Sequence, residues 1–199
     1  EDLATISAAI VYAHIHVPLT TVTKTAHRLL ELVAKERAGR DALACQVFKP
    51  GGIQLTWSMP WQSMLEVEGG HPTLLDEVLW RFRENSEDPS QFSSKFFYKA
   101  RDTFELLTDR NGRMLLSDEE VKSVMVAEYM ANREVDWPRE WEQARREQEA
   151  ICRVRRLLAL CTERVRLINE SGKPRIVPTG GLNVDGALLV RFLAQKGMD

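Results

Sequence analysis

Hydrophobic and polar positions follow two different regimes along the chain. Thr5 to Ala13 is a run of Ile, Val, Ala and Thr with no polar alternation, which predicts a strand covered on both faces and central in its sheet. Val17-Pro18 closes it, because the residue before proline is pushed to extended geometry and proline cannot donate to a ladder. Val22, Ala26, Leu29, Leu30 and Val33 then recur at spacings of three and four, one apolar face of a helix capped by Thr20 or Thr21 and stopped by Gly39. Ala42 to Phe48 and Ile53 to Met59 are short β-branched or aromatic runs joined by Lys49-Pro50-Gly51-Gly52, the pattern of a hairpin. The order is strand, helix, strand, strand, a ferredoxin-like half.

Beyond Pro60 the strand-like runs give way to helical ones, with a boundary in Glu68-Gly69-Gly70-His71-Pro72. Helices are expected over 73–85, 93–107, 117–132, 138–168 and 184–196, with turns at Asp88-Pro89, Asn111-Gly112, Gly172-Lys173-Pro174 and Gly180-Gly181. Ser117 and Glu120 have the spacing of a capping box. Ile151, Val154, Leu158, Cys161, Val165 and Ile168 step by three and four as a seam that needs partner helices. The expectation is an α+β chain with a strand-helix-strand-strand unit at 1–68 and an all-α C-terminal bundle at 69–199.

Composition narrows the partners more than the fold. A formal charge of −2 with 28% charged residues argues against capture of nucleic acid or anionic membrane by the whole surface, so partner arguments must be regional. Cys45, Cys152 and Cys161 are odd in number and lack C-x-x-C spacing, which points to reduced thiols and a cytoplasmic setting. No apolar run approaches the length of a membrane-spanning helix, and Glu1-Asp2-Leu3 does not begin a signal peptide.

Several motifs invite chemistry. His14 and His16 are two apart on a strand and share a face, so both could reach one metal or phosphate. No third ligand is spaced nearby, and hydrogen-bonded edge or interface histidines explain the pair better. Asp109, Asn111 and Gly112 fail a calcium loop at its first position, where Leu107 stands. Pro178-Thr179-Gly180-Gly181 lacks the lysine and hydroxyl of a phosphate loop and reads as a helix connection. Between Arg139 and Arg175 cations outnumber carboxylates. Arg145, Arg146, Arg153, Arg155, Arg156, Arg164 and Arg166 flank the heptad seam, either pairing with neighbouring glutamates or presenting a face that tracks phosphates.

The order Thr5-Ile6-Ser7-Ala8-Ala9-Ile10, then Ala34-Lys35, then Gly39-Arg40-Asp41 resembles the second half of a GGDEF-type nucleotide cyclase palm. More closely, it is similar to the second palm domain of the large subunit of type III CRISPR effector complexes, particularly the Cmr subtype. His14 ahead of Pro18-Leu19, and two strands split by Lys49-Pro50-Gly51-Gly52, carry that likeness. It covers residues 3 to 61 by motif and the rest by architecture.

The resemblance implies a ferredoxin-like palm half and an antiviral, RNA-guided complex whose palm joins ATP into cyclic oligoadenylates on target RNA binding. It implies that Ser7, Lys35, Arg40 and Asp41 serve nucleotide binding, and that His14, Arg145, Arg146, Arg153, Arg156 and Arg164 contact RNA or another subunit. The implied partners are a small helical subunit, guide RNA and target RNA. ATP and Mg2+ are the implied cofactors, bound mainly outside this chain, because the family's Gly-Gly-Asp-Asp hairpin is absent from it. No catalytic or metal residue is therefore assigned here, and the chain is expected to be the C-terminal part of a larger subunit. Ala9 replaces the family's usual glycine, and His16 stands where lysine is common. The alternatives are a non-catalytic helical scaffold module and a diverged diguanylate-cyclase-like signalling protein.

Overall fold

The computed structural model describes residues 4–49, 52–67, 70–83, 92–110, 113–132 and 136–196. The expected turns at Pro50-Gly51, Asp88-Pro89 and Asn111-Gly112, the Glu68-Gly69 part of the boundary, and positions 84 and 85 of the helix expected over 73–85 lie outside the described residues. Two compact units form, one of residues 1–66 with 163–179 and the other of 67–162 with 180–199. The expected division at 68/69 thus stands beside a first unit that recruits a later segment.

In the first unit, β1 (Ala8–Ala13) runs parallel to β2 (Ala42–Lys49), and β2 pairs antiparallel with β3 (Gly52–Pro60). Parallel neighbours require a crossover. It is supplied by α1 (Leu19–Arg28), which continues into nine residues of π-helix, Leu29–Arg37, an unusually long stretch of a geometry mostly seen as single turns. Pro18 caps α1 through its carbonyl, which accepts from Thr21 and Val22, so the helix begins just before the expected threonines.

The expectation of β1 as the central strand is corrected. Among the described residues the order is β1-β2-β3, with β2 in the middle and β1 at an edge. β2 is buried from Ala42 through Val47, and its one buried amide, Gln46, donates to Thr56 directly opposite at 2.7 Å. In β1, Ala9 and Val11 pack against a cluster of Leu29 and Ala34 from the crossover and Ala44 from β2, as do Leu30 and Val33, while Ile10 stays 41% exposed. An apolar run without alternation reports two faces that shun water, but it does not report how many strands flank it.

The second unit is built on α3 (Leu74–Phe82), α4 (Ser94–Leu106), α5 (Asp118–Asn132), α6 (Gln143–Cys161) and α7 (Asp185–Lys196); the single turn α2 (Trp61–Met64) closes β3 in the first unit. The helix starts follow their side-chain caps. Thr73 accepts from the Asp76 amide, Ser93 from Phe96, and Ser117 and Glu120 form the expected reciprocal box. Phe92, Phe96, Phe97 and Tyr129 interlock with ring centroids 5.5 to 5.9 Å apart, at the heart of the core.

The mixed α+β class holds, as does the order of a three-stranded palm-like sheet followed by helices. Within the later part, however, the helix expected over 138–168 ends at Cys161. Thr162 turns to extended backbone, and β4 (Thr162–Ile168) pairs with β5 (Pro174–Leu182) in a hairpin. Its tip is organised by Asn169, whose Oδ1 accepts from Ser171 and Lys173 while its carbonyl accepts from Gly172. Pro178-Thr179-Gly180-Gly181, expected as a helix connection, lies in β5. The buried face of α6 is Ala150, Val154, Leu157, Leu160 and Cys161. Val165 and Ile168 only prolonged that spacing by coincidence, since a β-branched run before Asn-Glu-Ser-Gly-Lys-Pro fits a strand and turn equally well.

Gly39 joins the two halves of the first unit. It has φ +78°, and a β-carbon there would lie 2.0 Å from the Arg166 carbonyl oxygen on β4. Gly172, at φ +75°, has nothing within 4 Å of the same position. Gly172→Ala is therefore expected to cost about 1 kcal/mol from backbone strain alone, and Gly39→Ala at least ~2 kcal/mol because strain and overlap add. Chemical denaturation of both variants checks this; equal losses would contradict it. Hydrogen bonds from Ser117 lower the Glu120 pKa, so its stabilisation is present above the unfolded carboxylate value and lost as pH falls through the folded one. Glu120→Gln should differ from wild type near neutrality and converge with it in acid, as read by thermal midpoints across pH.

Candidate nucleotide-facing strand and arginine surfaces

The segment entering β1 is held by a short left-handed turn. Gly39, Arg40 and Asp41 have φ of +78°, +67° and +50°, a conformation that non-glycine residues adopt only when surroundings over-determine it. The surroundings do so here. The Arg40 amide donates back to Ala34 at 3.2 Å, and the Asp41 carbonyl accepts from the Trp61 amide at 2.9 Å. Asp41 Oδ1 accepts from the Ile6 amide at 3.4 Å, and Trp61 Nε1 donates to the Ile6 carbonyl at 2.8 Å. Ser7 follows directly, half-exposed at the start of β1.

The expected nucleotide residues are thus distributed unequally. Asp41 and the Ile6-Ser7 backbone are brought together, with Asp41 spending its carboxylate on the Ile6 amide and on Arg166, whose Nε lies 3.9 Å from Oδ2. Lys35 sits on the π-helical segment and pairs with Glu31 at 2.6 Å, both partly exposed, a pairing worth little in water and easily exchanged for another anion. Arg40 projects into solvent. The Lys35 and Arg40 cations can meet an anion, and the Ser7 hydroxyl can donate or accept a hydrogen bond. Asp41, already engaged, does not present a free carboxylate for magnesium, and among the described residues no group of three or more His, Cys, Asp or Glu is placed to hold a metal ion.

His14 lies just past β1. Its amide continues the ladder to Phe48 at 3.1 Å, its carbonyl accepts from Val17, and its Nδ1 accepts from the His16 amide at 3.3 Å. The two rings stand 4.9 Å apart. The pair shapes the turn into Pro18-Leu19. Burial pushes the Cys45 and Cys161 thiols up to about 12, so neither supplies a thiolate nucleophile.

The arginines separate by burial. Arg156 is 11% exposed and grips Glu77, itself fully buried, with Nη2 to Oε2 at 2.6 Å and Nε to both oxygens at 3.0 Å. Arg81 holds the same carboxylate at 3.1 Å. Burial opposes the charge of Arg153, but its hydrogen bonds to Glu149 and Tyr129 outweigh that and leave its pKa raised. Arg153 also lies 4.8 Å from the Trp137 ring centre. Arg164, in the first unit, has its pKa lowered by burial, with the Glu66 carboxylate opposing. Arg146 is half-buried, and Arg145 is exposed and stacked over Trp141 at 4.3 Å. Arg166, expected only among the arginines flanking the seam, was missing from the expected site residues; its approach to Gly39 and Asp41 reveals it.

Residues 1–44 match the family model described as Cas10/Cmr2, second palm domain. The matched segment includes Ser7, His14, Lys35, Arg40 and Asp41 and ends inside β2. The likeness is to that palm domain and covers 44 of the 199 residues. No curated protein matches the chain. Among the described residues no helix is long and apolar enough to cross a membrane.

Because Arg156 partners a buried carboxylate, Arg156→Ala should destabilise the second unit by about 3 kcal/mol or more, whereas Arg145→Ala should cost about 1 kcal/mol or less. Urea titration distinguishes them, and comparable losses would show that the burial ranking does not govern these side chains.

Proposed function

We propose that this chain belongs to the large subunit of a type III CRISPR effector complex of the Cmr subtype, whose palm makes cyclic oligoadenylates from ATP when target RNA binds. The observation that carries the reading is the parallel β1–β2 pair around the matched 1–44 segment, with Ser7 entering β1 beside the Gly39–Asp41 turn. The outer edge of β1, unpaired among the described residues, is where a metal-bearing Gly-Gly-Asp-Asp hairpin from elsewhere in the subunit would complete the sheet.

ATP would supply the adenylyl group, its α-phosphorus taking a 3′ oxygen as pyrophosphate leaves, and Mg2+ held outside this chain would neutralise the developing charge. This chain's own residues bind and orient. The Ser7 hydroxyl hydrogen-bonds the nucleotide, Lys35 leaves Glu31 to meet phosphate oxygens, and Arg40 adds a second cation from the turn. Asp41 keeps the Ile6-Ser7 backbone in place. In the second unit, Arg145 is best disposed to meet guide RNA, target RNA or a small helical subunit, since Arg153 and Arg156 are engaged within the fold. A cytoplasmic complex accords with the unpaired thiols.

The assembled complex, given ATP, magnesium and target RNA, tests the reading. Ser7→Ala and Lys35→Ala should each lower oligoadenylate yield by about tenfold, the scale of one lost hydrogen bond to a charged group. Unchanged yield in both variants would favour a scaffold role without catalysis. With GTP supplied beside ATP, a product containing guanine in place of adenine would favour the diguanylate-cyclase-like alternative.

A further inference from the structure

The β4–β5 hairpin interrupts a long helical segment and folds back onto the first unit. Its contact there is specific. The Arg166 amide donates to the Ala38 carbonyl at 2.9 Å, and its own carbonyl occupies the space that a β-carbon on Gly39 would need. Its side chain, only 9% exposed, turns toward Asp41. Earlier in β4, Glu163 pairs with Arg37 at the end of the π-helical segment, and Thr179 of β5 lies against Glu163. The hairpin therefore clamps both sides of the left-handed turn. Asp41 relays the clamp to the Ile6 amide, one residue before Ser7.

We infer that Arg166 is a positioning residue for the nucleotide-facing start of β1, acting through Asp41. The inference rests on the reading of Ser7 as a nucleotide contact. The chemistry follows from the geometry. Asp41 in the left-handed region has two carboxylate oxygens, one facing Ile6 and the other facing a guanidinium. With the guanidinium removed, Asp41 is free to rotate toward solvent, and the Ile6 amide loses an acceptor that was aligned rather than close. Ser7 then enters β1 from an unrestrained residue, so its hydroxyl is presented in a spread of orientations and the substrate must supply the ordering.

The test uses the full-length large subunit, with wild type compared to Arg166→Met, Arg166→Lys and Ser7→Ala. Amide hydrogen exchange is followed at residues 4–13, with α5 as internal control, and ATP binding is measured by titration. Arg166→Met should speed exchange at Ile6 and weaken ATP binding by about three- to tenfold each, with α5 unchanged, and Arg166→Lys should restore most of both. Unaltered Ile6 exchange in Arg166→Met overturns the inference whatever ATP does. Faster exchange with unaltered ATP binding, while Ser7→Ala does weaken ATP, also overturns it and leaves the nucleotide reading intact. If neither Ser7→Ala nor Arg166→Met alters ATP binding, the nucleotide reading itself fails and the inference falls with it.

Discussion

The close approach of the Arg166 backbone to Gly39 is the constraint on which the first unit depends. A parallel β1–β2 pair needs a crossover that stops sharply and turns into β2, and here the stop is made by three successive left-handed residues. Such a turn is poor in energy by itself. It is held because its backbone groups and its one carboxylate all find partners: Ala34 behind it, Trp61 and Ile6 beside it, and Arg166 from a strand far along the chain. The hairpin is thus part of the unit's structure, and the residues that would face a nucleotide inherit their placement from it.

In the second unit the comparable constraint is electrostatic. Glu77 is fully buried, and a buried carboxylate is tolerable only when its charge and lone pairs are satisfied. Arg156 and Arg81 satisfy them from α6 and α3, tying two helices at one point. An arginine-rich helix therefore has two populations. Those on the seam side are structural cations, and those such as Arg145, stacked on an exposed face, remain presentable to a polyanion or a partner subunit. Composition alone makes both look like one basic stripe.

Much of the element order was legible because local signals were strong. Capping residues Thr73, Ser93 and Ser117 stand where helices begin, and the spacing of Val22, Ala26, Leu29 and Val33 marks the crossover face. The segment carrying Ser7, Lys35, Arg40 and Asp41 was legible as an ordered motif. Two things were not. The edge position of β1 among the described residues depends on which strands are available to pair, and an apolar run carries no information about that. The hairpin was masked because Val165 and Ile168 prolong a helical spacing, while the decisive turn residues, Asn169 and Gly172, lie beyond it.

By itself the sequence determined the types of most elements, the α+β class and the identity of the motif that points to a palm, since these rest on interactions between residues close in the chain. Only the tertiary structure decided which arginines are spent inside the fold, that Asp41 faces both Ile6 and Arg166, and that residues 163–179 belong with the first unit. Those outcomes depend on contacts between residues far apart in the chain, such as the Arg37–Glu163 pair, 126 positions apart. Burial and partner choice at such separations are set by packing, which no local spacing encodes.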